Sequence, residues 1–425
     1  SDVACHYNYL KKPSSTSLPR ILYVGEKKPE LNTSINYCKY TNKLLTKYTR
    51  SDTNILEIVS KFKPDAIITS GDNWKEFSRL ADMSYETRKK WLNIPYTEQD
   101  SLLGQVAYEC AINQMLANDN TKLISYFTPM YNTGNKLRKT YECLKNQTYN
   151  NWEWVLVNDS TDGGKTLQIA EEFATQDPRV KVYDFREKSG GNIGEVKYRA
   201  AMLCRGHILA ELDHDDHITP KLTQWLQSAS EDHPECGFFY SDCAMATPDW
   251  KPRWFKGLHS FGYGSYRDEV YNGVSLKVTN QHSINPVTIR HIVGIPNHVR
   301  AWRRVTYAKL GGHCRDLSVA DDYELVVRTF LHTRMCHIPY LGYVQFMYEG
   351  EDTNTHITAR ADIQRRVKSI AQFYHSDIEK RFTQLGLSDW AYAKNPQDAT
   401  ASWEGPWPTG EGEQSANIVW SGECS

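Results

Sequence analysis

Residues 123–159 read LISYFTPMYNTGNKLRKTYECLKNQTYNNWEWVLVND. LISYFTP is a short apolar run ending in a polar turn, KLRKTYECLKNQ has helical spacing, and EWVLVND is again a short apolar run ending in polar residues. The stretch therefore reads strand, helix, strand. The alternation continues with helix TLQIAEEFATQ, strand VKVYDF, helix GEVKYRAAMLC and strand ILAEL. Such a βαβ succession predicts a mostly parallel, Rossmann-like α/β sheet covered by helices. Ligands bind such sheets beyond the carboxyl ends of the strands. That rule gathers four polar loops on one rim: the loop after Thr128, the loop at Asp159, the turn Gly190 to Gly194, and the acidic cluster that opens at Asp213.

The cluster belongs to ILAELDHDDH, residues 208–217. Read as a buried strand whose carboxylates emerge at its end, it places Asp213 and Asp215 on one face and His214 and Asp216 on the other. Two hard oxygen donors on one face suit Mg2+ or Mn2+, which keep water and substrate phosphates in their other positions. An isolated Asp-x-Asp also occurs in solvated loops, so its neighbours decide its meaning. The turn Gly190-Gly191-Asn192-Ile193-Gly194 opens a helix, where backbone amides and the helix dipole favour anionic oxygens. Lys197 and Arg199 add charge nearby.

The chain has 425 residues, 40% hydrophobic and 24% charged, with a formal net charge of -1. This composition predicts a soluble globular protein without an overall bias toward nucleic acid or acidic membranes. No apolar run is long enough to span a bilayer and no charged-then-apolar leader opens the chain, so a cytoplasmic location is expected. The 10 cysteines lack CxxC pairs, which argues against a zinc ribbon or a disulfide scaffold.

Four regions are expected. Residues 1–120 form a small β/α domain, from strands ILYV (21–24) and DAIITSGD (65–72) and helical stretches ILEIVSKF (55–62) and LLGQVAYECAINQML (102–116). Residues 121–357 form the main domain. Residues 358–392 hold an amphipathic helix with Ile363, Val367, Ile370, Tyr374, Ile378, Phe382 and Leu385 on its apolar side. The Pro, Gly and Ser rich residues 393–425 are expected as a flexible tail. Between the acidic cluster and that helix, Trp250, Trp254, Phe255, Phe261, Tyr263, Tyr266 and Tyr271 either stack on sugar rings or bases or pack a long loop.

Six motifs follow one another along the chain: TPMYNTG with Pro129, Tyr131 and Asn132; VNDSTDGG with Asp159 and Asp162; NIGEVKYRAA; ELDHDD; ADDYEL; and Tyr348 to Asn354. Over residues 124–355 the chain resembles a family 2 glycosyltransferase of the GT-A fold. The resemblance implies that Asp213 and Asp215 hold a divalent cation, Mn2+ or Mg2+, bridging the diphosphate of a nucleotide-sugar donor. Pro129, Tyr131, Asn132 and Asp159 then meet base and ribose, and Asn192, Gly194, Lys197 and Arg199 line the donor. Arg199 is followed by Ala200 where the family often has Arg-Asn, which puts one donor contact in question. Asp322 matches the family's general base, with Asp321 in place of the glutamate before it. Arg303 and Arg304 are candidates for diphosphate or an anionic acceptor, and His356 for the metal or a phosphate.

The expected activity is inverting, metal-dependent glycosyl transfer for glycan biosynthesis, with a UDP-sugar as donor by family frequency. The acceptor, whether glycan, lipid-linked sugar, protein or modified nucleic acid, is not legible. A sugar nucleotidyltransferase and a non-catalytic glycan- or nucleotide-binding module are the alternatives. A metallo-β-lactamase-like hydrolase fits poorly, because Leu212 stands where its motif needs a histidine.

Overall fold

The computed structural model describes residues 122–177, 179–185, 188–255, 265–281, 284, 288–348, 359–386 and 417–422, and before them the short segments 20–24, 39–44, 59–61, 63–64, 66–70 and 91–94. In the N-terminal region, β1 (Arg20–Val24), β2 (Lys39–Leu44), β3 (Ala66–Ser70) and β4 (Trp91–Ile94) make a parallel sheet in the order β2-β1-β3-β4. Leu22 and Ile67 are buried in it. The helix expected over 102–116 and the boundary near Asn120 lie outside the described residues.

The strands expected from the alternation are present: β5 (Ile124–Met130), β6 (Trp152–Asn158), β7 (Val180–Asp184) and β8 (Ile208–Glu211). All four are parallel, in the order β8-β5-β6-β7. Helices α1 (Leu137–Lys145), α2 (Lys165–Gln176) and α3 (Ile193–Met202) cross between them. Both faces are covered, so the strands read as continuous apolar runs. On one side Tyr141, Trp154 and Phe173 stack with centroids 4.2 to 6.3 Å apart. β6 and β7 lie on one side of β5 while β8 returns to the other, which makes the carboxyl ends of β5 and β8 a topological switch point.

Beyond β8 the sheet becomes mixed. A two-residue β9 (His217–Ile218) and helix α4 (Leu222–Asp232) lead into the long β10 (Cys236–Ala246). After it come β11 (Pro252–Arg253) and the edge hairpin of β12 (Ser265–Tyr271) and β13 (Val274–Asn280). A short helix α5 (Thr288–His291) precedes β14 (Arg300–Arg303), which inserts antiparallel between β8 and β10. Helices α6 (Arg304–Leu310) and α7 (Asp321–His332) precede β15 (Arg334–Phe346), parallel to β10.

The expected C-terminal helix is two, α8 (Arg360–Phe373) and α9 (His375–Gln384), broken at Tyr374. Val367, Ile378 and Phe382 are buried on the predicted apolar side. The tail differs from expectation at its end, because β16 (Asn417–Val419) adds a parallel strand to β15 and Trp420 is buried with its indole N–H on Asp232 at 2.8 Å. Among the described residues no helix is long and apolar enough to cross a membrane.

Candidate functional site

The switch point is where the chemistry-bearing residues gather. β8 ends at Glu211, and Asp213 to Asp216 form a turn before β9. That turn is anchored from below: the Trp154 indole donates to Thr128 Oγ1 at 2.7 Å, and Thr128 Oγ1 donates to the Leu212 carbonyl at 2.5 Å. Thr140 Oγ1 donates to the carbonyls of His214 and Asp216, and Thr133 Oγ1 pairs with His214 Nδ1 at 2.5 Å. Alternation along a strand therefore does not sort the acids, as the sequence reading supposed; the turn does. Asp216 is buried, accepting from the Tyr343 hydroxyl at 2.8 Å and the Phe346 amide at 2.9 Å, whereas Asp213 and Asp215 stay partly exposed. Burial, reinforced by the Asp213 charge, pushes the Asp215 carboxyl above its ordinary value.

Behind the turn lies a buried network of charge. Glu211 accepts from Arg300 Nε at 2.6 Å and pairs with His313 Nε2 at 2.8 Å, with Lys197 Nζ 3.6 Å away. Arg300 reaches on to Asp322 Oδ2 at 3.0 Å, and Lys197 to Asp321 Oδ2 at 3.2 Å. His298 Nε2 lies 2.8 Å from Arg300 Nη2 and 3.7 Å from Asp213 Oδ2, and its ring stacks on Tyr343. Burial holds His298 down at about 4, so it is neutral at pH 7. Asp321 and Asp322 open α7, but their surroundings differ: the Asp322 side chain is 26% exposed and that of Asp321 5%. Burial raises the Asp321 carboxyl. For Asp322 burial is outweighed by Arg300 and then Lys197, and its carboxyl falls below the ordinary value.

The other expected residues divide. Pro129 pairs with Val157 inside the sheet, while Tyr131 is 55% exposed at the rim. Asn132, at φ 48°, ties its loop to the next one through Ser160 and Thr161. Asp159 is buried and accepts from both the amide and the hydroxyl of Ser189, at 2.8 and 2.6 Å, so it clasps two rim loops together. Asp162 accepts from the amide and the hydroxyl of Thr166 in the first turn of α2.

Gly194 and the expected cations have neighbours of their own within the fold. The Gly194 amide donates to the Leu317 carbonyl at 3.1 Å, and a Cβ there would stand 2.0 Å from the Cys314 carbonyl oxygen. The glycine thus answers to a close-packed loop, with Asn192 the N-cap beside it. Lys197 is engaged with Asp321 and Glu211, and Arg199 with Glu195 at 2.9 Å. Arg303 and Arg304 stand at the opposite end of the sheet from the rim, because β14 runs antiparallel to β8. Arg303 donates there to the carbonyls of Cys236, Ser230 and His233, and the Arg304 amide to that of His207. His356 lies outside the described residues.

Sequence reading assigned no role to Glu211, His298, Arg300 or His313. One signal was available: a glutamate at the inner end of an apolar strand demands a buried cation, and HVRAWRR offers one.

Residues 125–286 match the family model described as Glycosyl transferase family 2. The chain is 34% identical over 274 residues to a chondroitin synthase of Escherichia coli, covering 64% of this chain and 34% of that protein. It is 35% identical over 113 residues to the putative glycosyltransferase EpsH of Bacillus subtilis, covering 26% of this chain and 32% of that one. The chain thus spans about a third of the length of each of these relatives. Among solved structures, S. aureus TarS 1-349 in complex with UDP-GlcNAc aligns with a TM-score of 0.43 and 15% identity, over 63% of this chain and 73% of that one.

Proposed function

We propose that the chain is an inverting glycosyltransferase that moves a sugar from a nucleoside-diphosphate donor, a UDP-sugar first among the candidates, to an acceptor hydroxyl. The observation that carries this reading is the pairing, at the switch point of a family 2 domain, of the partly exposed Asp213 and Asp215 with the ionised Asp322. Residues 121–357 are the proposed transferase unit and 1–120 a separate small unit.

The acidic turn suits a divalent cation of the Mg2+ or Mn2+ kind. Neither Asp213 nor Asp215 forms an ion pair with an arginine or lysine among the described residues, and their mutual repulsion is only partly offset at Asp215, by His214 and Lys136. Among those residues no group of three or more His, Cys, Asp and Glu is placed as a metal cage. A two-carboxylate set leaves positions for water and diphosphate oxygens, as these ions prefer. When bound, such an ion supplies Lewis-acid stabilisation of the departing nucleoside diphosphate, worth several kcal/mol.

The chain's own residues do the rest. Asp322 accepts the proton of the acceptor hydroxyl as that oxygen attacks the anomeric carbon, inverting it. Tyr131 and the clasped Asn132 and Asp159 loops shape the place for base and ribose. Asp216 and His298 hold the turn and exclude water from behind it. The test incubates the protein with UDP-, GDP- and dTDP-sugars and Mn2+ and follows nucleotide release. Asp322→Asn is expected to cut turnover roughly 100- to 10,000-fold with nucleotide binding kept, and Asp213→Asn or Asp215→Asn to remove Mn2+-dependent release. Pyrophosphate chemistry would instead mark a nucleotidyltransferase, and binding without turnover a module.

A further inference from the structure

Arg300 is 1% exposed, yet its guanidinium makes three separate polar contacts, each on a different element. Nε donates to Glu211 Oε2 at 2.6 Å on β8, Nη2 lies 2.8 Å from His298 Nε2 in the preceding loop, and Nη1 lies 3.0 Å from Asp322 Oδ2 on α7. A planar fork of donors fits three directions at once, which a lysine ammonium on a flexible stem does not. Glu211 lies two residues before Asp213. The fork therefore ties the strand that carries the acidic turn to the helix that carries the candidate base. Asp322 Oδ1 is held by the Tyr323 amide at 2.8 Å, so Arg300 at Oδ2 completes the fixing of that carboxylate.

We infer that Arg300 is the positioning residue for the base: anchored on Glu211, it fixes the Asp322 carboxylate in its orientation. This rests on the proposed role of Asp322. The charged groups facing Asp322 are Arg300 from β14, Lys197 from α3, Glu211 from β8 and Asp321 from its own helix. Lys197 lies 3.2 Å from Asp321, which makes Arg300 the nearer counter-charge for Asp322. With that counter-charge removed, Lys197 and the Tyr323 amide alone oppose burial and the Glu211 and Asp321 charges, so the balance moves toward the protonated acid, and a protonated acid accepts no proton.

The test compares Arg300→Lys and Arg300→Met with Asp322→Asn, using the UDP-sugar and Mn2+ combination that gives nucleotide release, and UDP with Mn2+ as the binding probe in calorimetry. Arg300→Met is expected to lower kcat about 10- to 100-fold at pH 7 and to move the acid limb of the kcat profile up by about one pH unit, with UDP affinity changed less than about threefold. Arg300→Lys returns part of the kcat and part of the limb. In the Asp322→Asn background, Arg300→Met adds little further loss. An unmoved acid limb, a loss carried by UDP affinity instead of kcat, or losses that multiply across the double variant would each overturn the inference. Turnover kept by Asp322→Asn would overturn the base assignment itself. If Arg300→Met does not fold, Arg300→Lys decides alone, and unchanged kcat with an unmoved limb overturns the inference.

Discussion

At the scale of single residues, two carboxylates at opposite ends of the sheet show how environment sets role. Glu153, at the amino end of β6, is buried among Lys181 Nζ at 2.6 Å, Arg205 Nε at 2.9 Å and the Ser125 hydroxyl at 2.6 Å. Burial pushes its carboxyl up, but Lys181 and Arg205 outweigh burial and hold it well below the usual range. A depressed folded pKa gives stability that is present above the unfolded pKa, roughly 4.3, and is lost as pH falls through and below it. Glu153→Gln is expected to cost on the order of 3 to 5 kcal/mol at pH 7, because the buried Lys181 and the partly buried Arg205 then face an uncharged amide. It should also flatten the loss of stability between about pH 5 and pH 3; urea midpoints across that range check both. Asp216, by contrast, is buried without a cation among its hydrogen-bond partners, and burial with the charges of Asp215 and Asp213 drives its carboxyl well above the ordinary value. Glu153 was visible in the sequence as an acid at the head of an apolar run, and Asp216 as a member of the acidic cluster. Which end of which strand each would occupy, and beside which cation, was not.

At the scale of elements, α3 carries the clearest difference between expectation and structure. Its glycine-rich start has the composition of a phosphate-binding turn, since amides at a helix start attract anions whatever surrounds them. The fold spends the Gly194 amide on Leu317 and brings Cys314 so close that no side chain fits. Gly194→Ala must displace backbone, so we expect a fall in melting temperature of several degrees or more, measurable by calorimetry. Ser189→Ala, by opening the Asp159 clasp, should weaken UDP binding with little change in that melting temperature. The helices themselves were legible because apolar spacing is a local property. The partner of the α3 start was not, because it comes from a loop more than 100 residues away.

At the scale of the whole molecule, the chain closes on itself. β16 extends the sheet along β15, and Trp420 is buried against Tyr340 with its indole on Asp232. Composition marked this stretch as flexible, and tertiary pairing made its end a strand. Trp420→Ala is expected to cost about 3 to 5 kcal/mol in urea unfolding, the range for a buried tryptophan; a change within error would mean that β16 is not held in solution. Taken alone, the sequence determined the parallel α/β order from 123 to 212, the rim on which the polar loops meet, and the family that ELDHDD and ADDYEL resemble, since all three follow from local periodicity and short motifs. Tertiary structure alone decided which charges are spent inside the protein. Arg303 was sent to the far end of the sheet because β14 runs antiparallel to β8, Lys197 was buried against Asp321, and Arg300 was set between Glu211 and Asp322. An ion pair is fixed by strand direction and by distance across the fold, and neither is written in the residues on one side of it.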